Sequence, residues 1–154
     1  MGRNVLNIVS FCGIGYTGPM LDQRFAVSVH IMTVLSYHKG ELMTSEILAA
    51  GIRTNPTVVR RLVAKLSEAG LVESFKGKTG GVRLNESRKE ISLKDIYVAV
   101  SGKPLLNTPD KEPFRNCMVS CAMKKILCDV STGLENNSMN YLSKIKLSDL
   151  TSKV

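Results

Sequence analysis

The stretch from Thr54 to Leu84, TNPTVVRRLVAKLSEAGLVESFKGKTGGVRL, admits few folds. Asn55-Pro56 opens it with a side chain able to cap a helix and a proline suited to a first turn. Val58, Val59, Leu62, Val63, Leu66 and Leu71 then recur at helical spacing and give one apolar face. Arg60, Arg61 and Lys65 fall largely on the other side. Gly70 is the expected stop, since glycine takes the left-handed C′ conformation without steric cost. Leu71 to Phe75, the basic glycine-rich Lys76 to Gly81, and Val82 to Leu84 read as strand, turn and strand. A capped basic helix followed at once by a basic hairpin is the layout of a winged helix.

The segments ahead of this stretch fit the same layout. Asp22 to Tyr37 has apolar residues throughout and predicts a first helix, with Phe25, Val29, Met32, Val34 and Leu35 on its buried face. Thr44 is a cap for a second helix, Ser45 to Ala50, with Glu46 near its positive end and Gly51 as its stop. Ile52-Arg53-Thr54 is then the short turn of a helix-turn-helix. Downstream, Asn85 to Glu90 is a polar loop. Ser92-Leu93-Lys94-Asp95 reads as a capping box with Asp in place of Glu, starting a short helix to about Val100. Residues 102–116 contain Pro104, Pro109 and Pro113 and read as a linker. A long helical pattern runs from about Cys117 to Leu134. Glu135-Asn136-Asn137-Ser138 predicts a break, and Met139 to Leu150 a last short helix. The expected class is mainly α with a small β-wing. Its parts are an N-terminal extension over 1–20, a winged helix-turn-helix domain over 21–102, a linker over 103–116 and a helical dimerisation arm over 117–154.

Charge points to the partner. The 154 residues carry a net charge of +8, concentrated between Arg53 and Lys103. A localised excess of this kind suits a polyanion. The absence of Trp and the scarcity of other aromatics argue against base stacking on single strands. By geometry, residues at the N-terminal end of a recognition helix reach bases, so Thr54, Asn55, Thr57, Arg60 and Arg61 are the base-reading candidates. Lys65, Lys76, Lys78 and Arg83 are the phosphate candidates, giving affinity with little sequence choice. The competing reading is a basic winged-helix adaptor that docks a protein and has no DNA specificity. Gly77-Lys78-Thr79 imitates a phosphate-binding loop, but Val72 stands where the leading glycine belongs and a strand follows instead of a helix. His30 and His38 have no nucleophile–base pattern around them, so no enzyme class is suggested.

No apolar run is long enough to cross a membrane. The segment MGRNVLNIVSFCGIGYTGPM resembles a signal peptide only weakly, because Asn7 and Ser10 interrupt its apolar patch. The expectation is a cytoplasmic chain whose four cysteines are reduced. Cys117, Cys121 and Cys128 are offset by four and eleven residues and share one stripe of a helix. They can serve as small packing residues, thiol sensors or iron–sulfur ligands. In an unbroken helix Cys117 and Cys128 stand about 16 Å apart, too far for one cluster. Ligation therefore requires the first two to lie in the loop ahead of the helix.

Phe25-Ala26-Val27, Thr44-Ser45-Glu46, TNPTVVRRLVAKLSEAGLVES, GKTGGVRL and ISLKDIYVAVSG together resemble the Rrf2 family of bacterial transcription regulators. The resemblance is close from Asp22 to Gly102 and looser beyond. It implies a homodimeric winged helix-turn-helix protein that represses or activates a promoter at a double-stranded DNA operator, with repression expected here. The dimer seam would be the long helix, through Ile126, Leu127, Val130 and Leu134. Cluster-binding members of the family carry three cysteines between the short fourth helix and the dimer helix. Here the spacing Cys-x3-Cys-x6-Cys is tighter at first, no histidine follows soon after Cys128, and Arg24 stands where some members offer an acid. The expectation is accordingly no cofactor, with an iron–sulfur cluster as the alternative.

Overall fold

The computed structural model describes residues 23–77, 79–88, 90–101 and 117–154. The expected extension over 1–20, the linker over 103–116 and Lys78 lie outside the described residues. The chain folds mainly into helices, with one two-stranded antiparallel wing. In order the elements are α1 (Arg24–Tyr37), α2 (Ser45–Ile52), α3 (Pro56–Glu68), β1 (Val72–Phe75), β2 (Gly81–Leu84), α4 (Leu93–Val100), α5 (Met118–Ser143) and α6 (Leu147–Thr151).

The core is shared by α1, α2, α3, the wing and α4. Ile31, Met32 and Leu35 of α1, Leu48 of α2, Val59 and Leu66 of α3, Leu71, and Ile96 and Val100 of α4 are almost wholly removed from water. Of the expected α1 face, Met32 and Leu35 are buried and Phe25, Val29 and Val34 are partly so. Val27, Ser28 and Ile31 complete it. The apolar residues of α1 surround the helix rather than forming a stripe, so periodicity could not pick the inner face.

Local chemistry fixes the helix ends. Thr44 Oγ1 accepts from the Ile47 N–H, and Asn55 Oδ1 accepts from the Thr57 N–H at 2.8 Å. Pro56 follows at the first helical position. Ser92 and Asp95 complete a reciprocal capping box at the start of α4. Gly70 takes φ +67° just past α3, as its position predicts.

Three expected boundaries move, the last helix, expected over Met139 to Leu150, being divided between the end of α5 at Ser143 and α6 from Leu147. α2 does not stop at Gly51: it continues to Ile52, whose side chain is buried, and Arg53 adopts the left-handed conformation at φ 59°. Burying Ile52 outweighs the weak stop signal of an exposed glycine. The break expected at Glu135 to Ser138 is absent, and α5 runs unbroken for 26 residues to Ser143. That polar segment is poor at starting helices but sits inside one already propagating, where each residue fixed gains a hydrogen bond, instead of several being fixed for the first one. A feature with no local signal joins the wing to α2: Met43 N donates to Val82 O at 2.9 Å, and Val82 N donates to Met43 O at 2.8 Å. The lead into the helix-turn-helix thereby becomes a short third edge of the wing.

Candidate nucleic-acid interface

α3 is held by its apolar line Val59, Leu62, Val63 and Leu66. At about 100° per residue, the side opposite that line carries Thr57, Arg61, Ala64 and Glu68. All four are exposed. Arg60 lies on the flank facing α2, and Lys65 on the flank facing α4. Thr54 is half-buried and Asn55 exposed where the turn enters α3, and Asn55 is already engaged as its cap. Arg53 is exposed in the same turn. It was not among the base-reading or phosphate candidates, and its one sequence signal was its place directly ahead of Thr54.

The basic residues divide by what they touch. Arg60 Nη2 pairs with Glu46 Oε1 across the helix-turn-helix. The backbone N–H of Glu46 itself, and then the Arg60 guanidinium, hold the Glu46 carboxyl below the usual range. Lys65 Nζ donates to Val100 O at 3.4 Å, at the carbonyl end of α4. Arg83 of β2 faces Glu73 of β1 in register, with Nε–Oε2 at 2.9 Å and Nη2–Oε2 at 2.8 Å. Its guanidinium carbon also lies 4.9 Å from the centre of the Phe75 ring. Arg61 and Lys76 are exposed, on the outer line of α3 and at the wing turn.

The wing turn is tight. Gly77 has φ +110°, and a Cβ on Gly80 would stand 2.3 Å from the Phe75 carbonyl oxygen. Only glycine at position 80 lets the chain fold back this closely on the end of β1.

The pattern of the Rrf2 family, described as an iron-dependent transcriptional regulator, matches residues 21–153. This chain belongs to the Rrf2 family. A candidate HTH-type transcriptional regulator of Bacillus subtilis, YwnA, is 30% identical over 131 residues, covering 85% of this chain and 96% of YwnA. Among solved structures, a candidate transcriptional regulator from Lactobacillus plantarum superposes with a TM-score of 0.72 at 22% identity, covering 86% of this chain and 89% of that one. CymR (YrzC), the global cysteine regulator of B. subtilis, gives a TM-score of 0.60 at 21% identity, covering 88% and 98%. These two likenesses concern the fold. Membership makes this Rrf2 chain a DNA-binding transcription regulator and not an enzyme. Among the described residues no helix is long and apolar enough to cross a membrane.

The family description raises iron, and the cysteines test whether a cluster fits. Cys117 is the N-cap of α5, its Sγ accepting from the Ser120 N–H at 3.4 Å. Cys121 and Cys128 lie within the unbroken helix, and both are exposed. The condition for ligation, two cysteines in the loop ahead of the helix, is therefore not met. Among the described residues no three His, Cys, Asp or Glu side chains come together as a ligand set. Among the described residues of one protomer, these three cysteines do not converge on a common site.

Proposed function

We propose that this Rrf2 chain is a sequence-specific repressor that binds a double-stranded operator as a homodimer in the cytoplasm, with no resident cofactor. The observation that carries the reading is the pairing of two exposed basic features on one scaffold: the outer line of α3 with Thr57 and Arg61, and the glycine-built wing turn with Lys76. Thr54, Asn55, Thr57, Arg60 and Arg61 are assigned to the bases. Lys76, Lys78 and Arg83 are assigned to the phosphates, with Arg83 first exchanging Glu73 for the DNA. Lys65 leaves the phosphate set in this reading, because its ammonium serves the carbonyl end of α4.

The test is binding to duplexes across a salt series, with the operator obtained by selection from a random duplex pool. Arg61→Ala costs about 1–3 kcal/mol on the selected duplex and much less on random DNA, since an arginine fork pairs with guanine in two places. Lys76→Ala weakens every duplex alike and lowers the salt slope by about one ion. Binding with no enrichment of any sequence and no response to either substitution would replace this reading with the protein adaptor.

A further inference from the structure

The reading face of the helix-turn-helix contains an acid, and an acid beside DNA needs a reason. Glu46 sits in the first turn of α2, where a carboxylate complements the positive end of the helix. That local role does not require a partner. The side chain nonetheless reaches across the turn to Arg60, fourteen residues away on α3. Both side chains remain more than half exposed, so the pair adds little to the stability of the fold. It does constrain position. A free arginine on a helix surface samples many rotamers, whereas this one is tied at Nη2. One of its five donors is committed, and the remaining donors include enough of the fork to span a guanine edge. The carboxylate is itself held at its root by the Thr44-capped turn.

We propose that Glu46 is a specificity-determining positioning residue, which fixes the Arg60 guanidinium at the α2 edge of the reading face so that it meets a guanine in one register. The inference rests on the DNA-reading assignment of α3 made above. Two consequences follow for binding. A pre-positioned guanidinium loses less rotamer freedom when it meets the correct base. Where Arg60 finds no guanine to hold, the same exposed carboxylate would repel the DNA phosphates, which weakens binding to wrong sequences. Glu46 thereby raises the ratio between operator and random DNA from both sides.

The experiment measures Kd on the selected operator and on a random duplex at one salt concentration, for the wild type, Glu46→Gln, Arg60→Ala and the double variant. Glu46→Gln keeps shape and polarity but removes the charge, and its unfolding midpoint is expected to fall only slightly, through the lost complement to the positive end of α2. Operator affinity should fall roughly five- to tenfold, while random-duplex affinity holds or rises about twofold. In the Arg60→Ala background the same change should leave the operator-to-random ratio where it was. Arg60→Lys, which keeps the charge and loses the fork, should lower the ratio as Glu46→Gln does. An unchanged ratio in Glu46→Gln overturns the proposal. So does an equal fall in the ratio with and without Arg60, which would make Glu46 act independently of that arginine. Failure of the wild type to enrich any sequence overturns the DNA-reading assignment itself, and this inference with it. Enrichment followed by an unchanged ratio overturns the inference alone.

Discussion

Single residues carry two separable debts of folding. Ser28 is fully buried in α1, and its hydroxyl has no hydrogen-bond partner among the described residues. A buried hydroxyl without a partner costs on the order of 1–3 kcal/mol. Ser28→Ala is therefore expected to stabilise the protein by about 1 kcal/mol, seen as a higher urea midpoint at unchanged slope. At the start of α4 the balance is reversed. Asp95 Oδ2 accepts from the Ser92 N–H at 2.8 Å and from Ser92 Oγ at 2.7 Å. Burial pushes the Asp95 carboxyl up, but these bonds, with Arg88 and Lys146 nearby, outweigh it and leave the carboxyl below its ordinary value of 3.8. A depressed pKa means the folded state holds the proton less tightly than the unfolded chain. The contribution is complete above the ordinary value and is lost as pH falls through the lower, folded one. Ser92→Ala should cost about 1 kcal/mol near neutrality. Asp95→Asn should flatten the acid limb of stability against pH, and an acid limb identical to the wild type would refute the assignment.

At the scale of elements the wing offers the sharpest test. A Cβ at position 80 would collide with the backbone of Phe75 rather than with a movable side chain. Gly80→Ala must open the turn between β1 and β2 and displace Lys76. The turn itself lies outside the core, to which the wing contributes Val72 and Val82, so the unfolding midpoint should drop only modestly, while affinity for all duplexes falls together. Loss of sequence preference with retained affinity would instead place base reading in the wing. The elements also show what local sequence can and cannot carry. Asn55-Pro56, Gly70 and the Ser92–Asp95 box act within a few residues of themselves, so their meaning was legible before any fold was known. The end of α2 was not, because Ile52 finds its burial in contacts distant along the chain. The unbroken α5 was hidden for a related reason. Ser138 and Leu142 border a cleft with Phe25 of α1 and Tyr97 of α4, and propensity sees neither. The candidate site divides the same way. Periodicity put Arg61 outside and Val59 inside, but the Glu46–Arg60, Lys65–Val100 and Glu73–Arg83 contacts join elements and had no sequence signal.

For the whole molecule the open question is what covers α5. The helix spans about 39 Å, yet Ser131 is its one buried residue. Val119, Met123, Ile126, Val130 and Leu134 are exposed and succeed one another three or four residues apart, so they share one face. Leu127 stands to one side of that face and is partly buried. An apolar stripe this long is costly to leave in water, and in the proposed homodimer a second copy of the same helix would cover it in a two-fold arrangement. Cys117, Cys121 and Cys128 lie about 180° around the helix from Ile126 and Val130. The seam and the thiols therefore occupy opposite sides, and mild oxidation should not cross-link protomers through it. Light scattering is expected to give a dimer at micromolar concentration. Ile126→Glu with Val130→Glu should give a folded monomer, since neither residue belongs to the core of the DNA-binding part. That monomer should keep non-specific affinity, set by the charges of α3 and the wing, and lose most of its affinity for a two-half-site operator. A wild-type monomer would remove the dimer from the proposal. A disulfide-linked dimer abolished by Cys121→Ser would put the seam on the other side of α5.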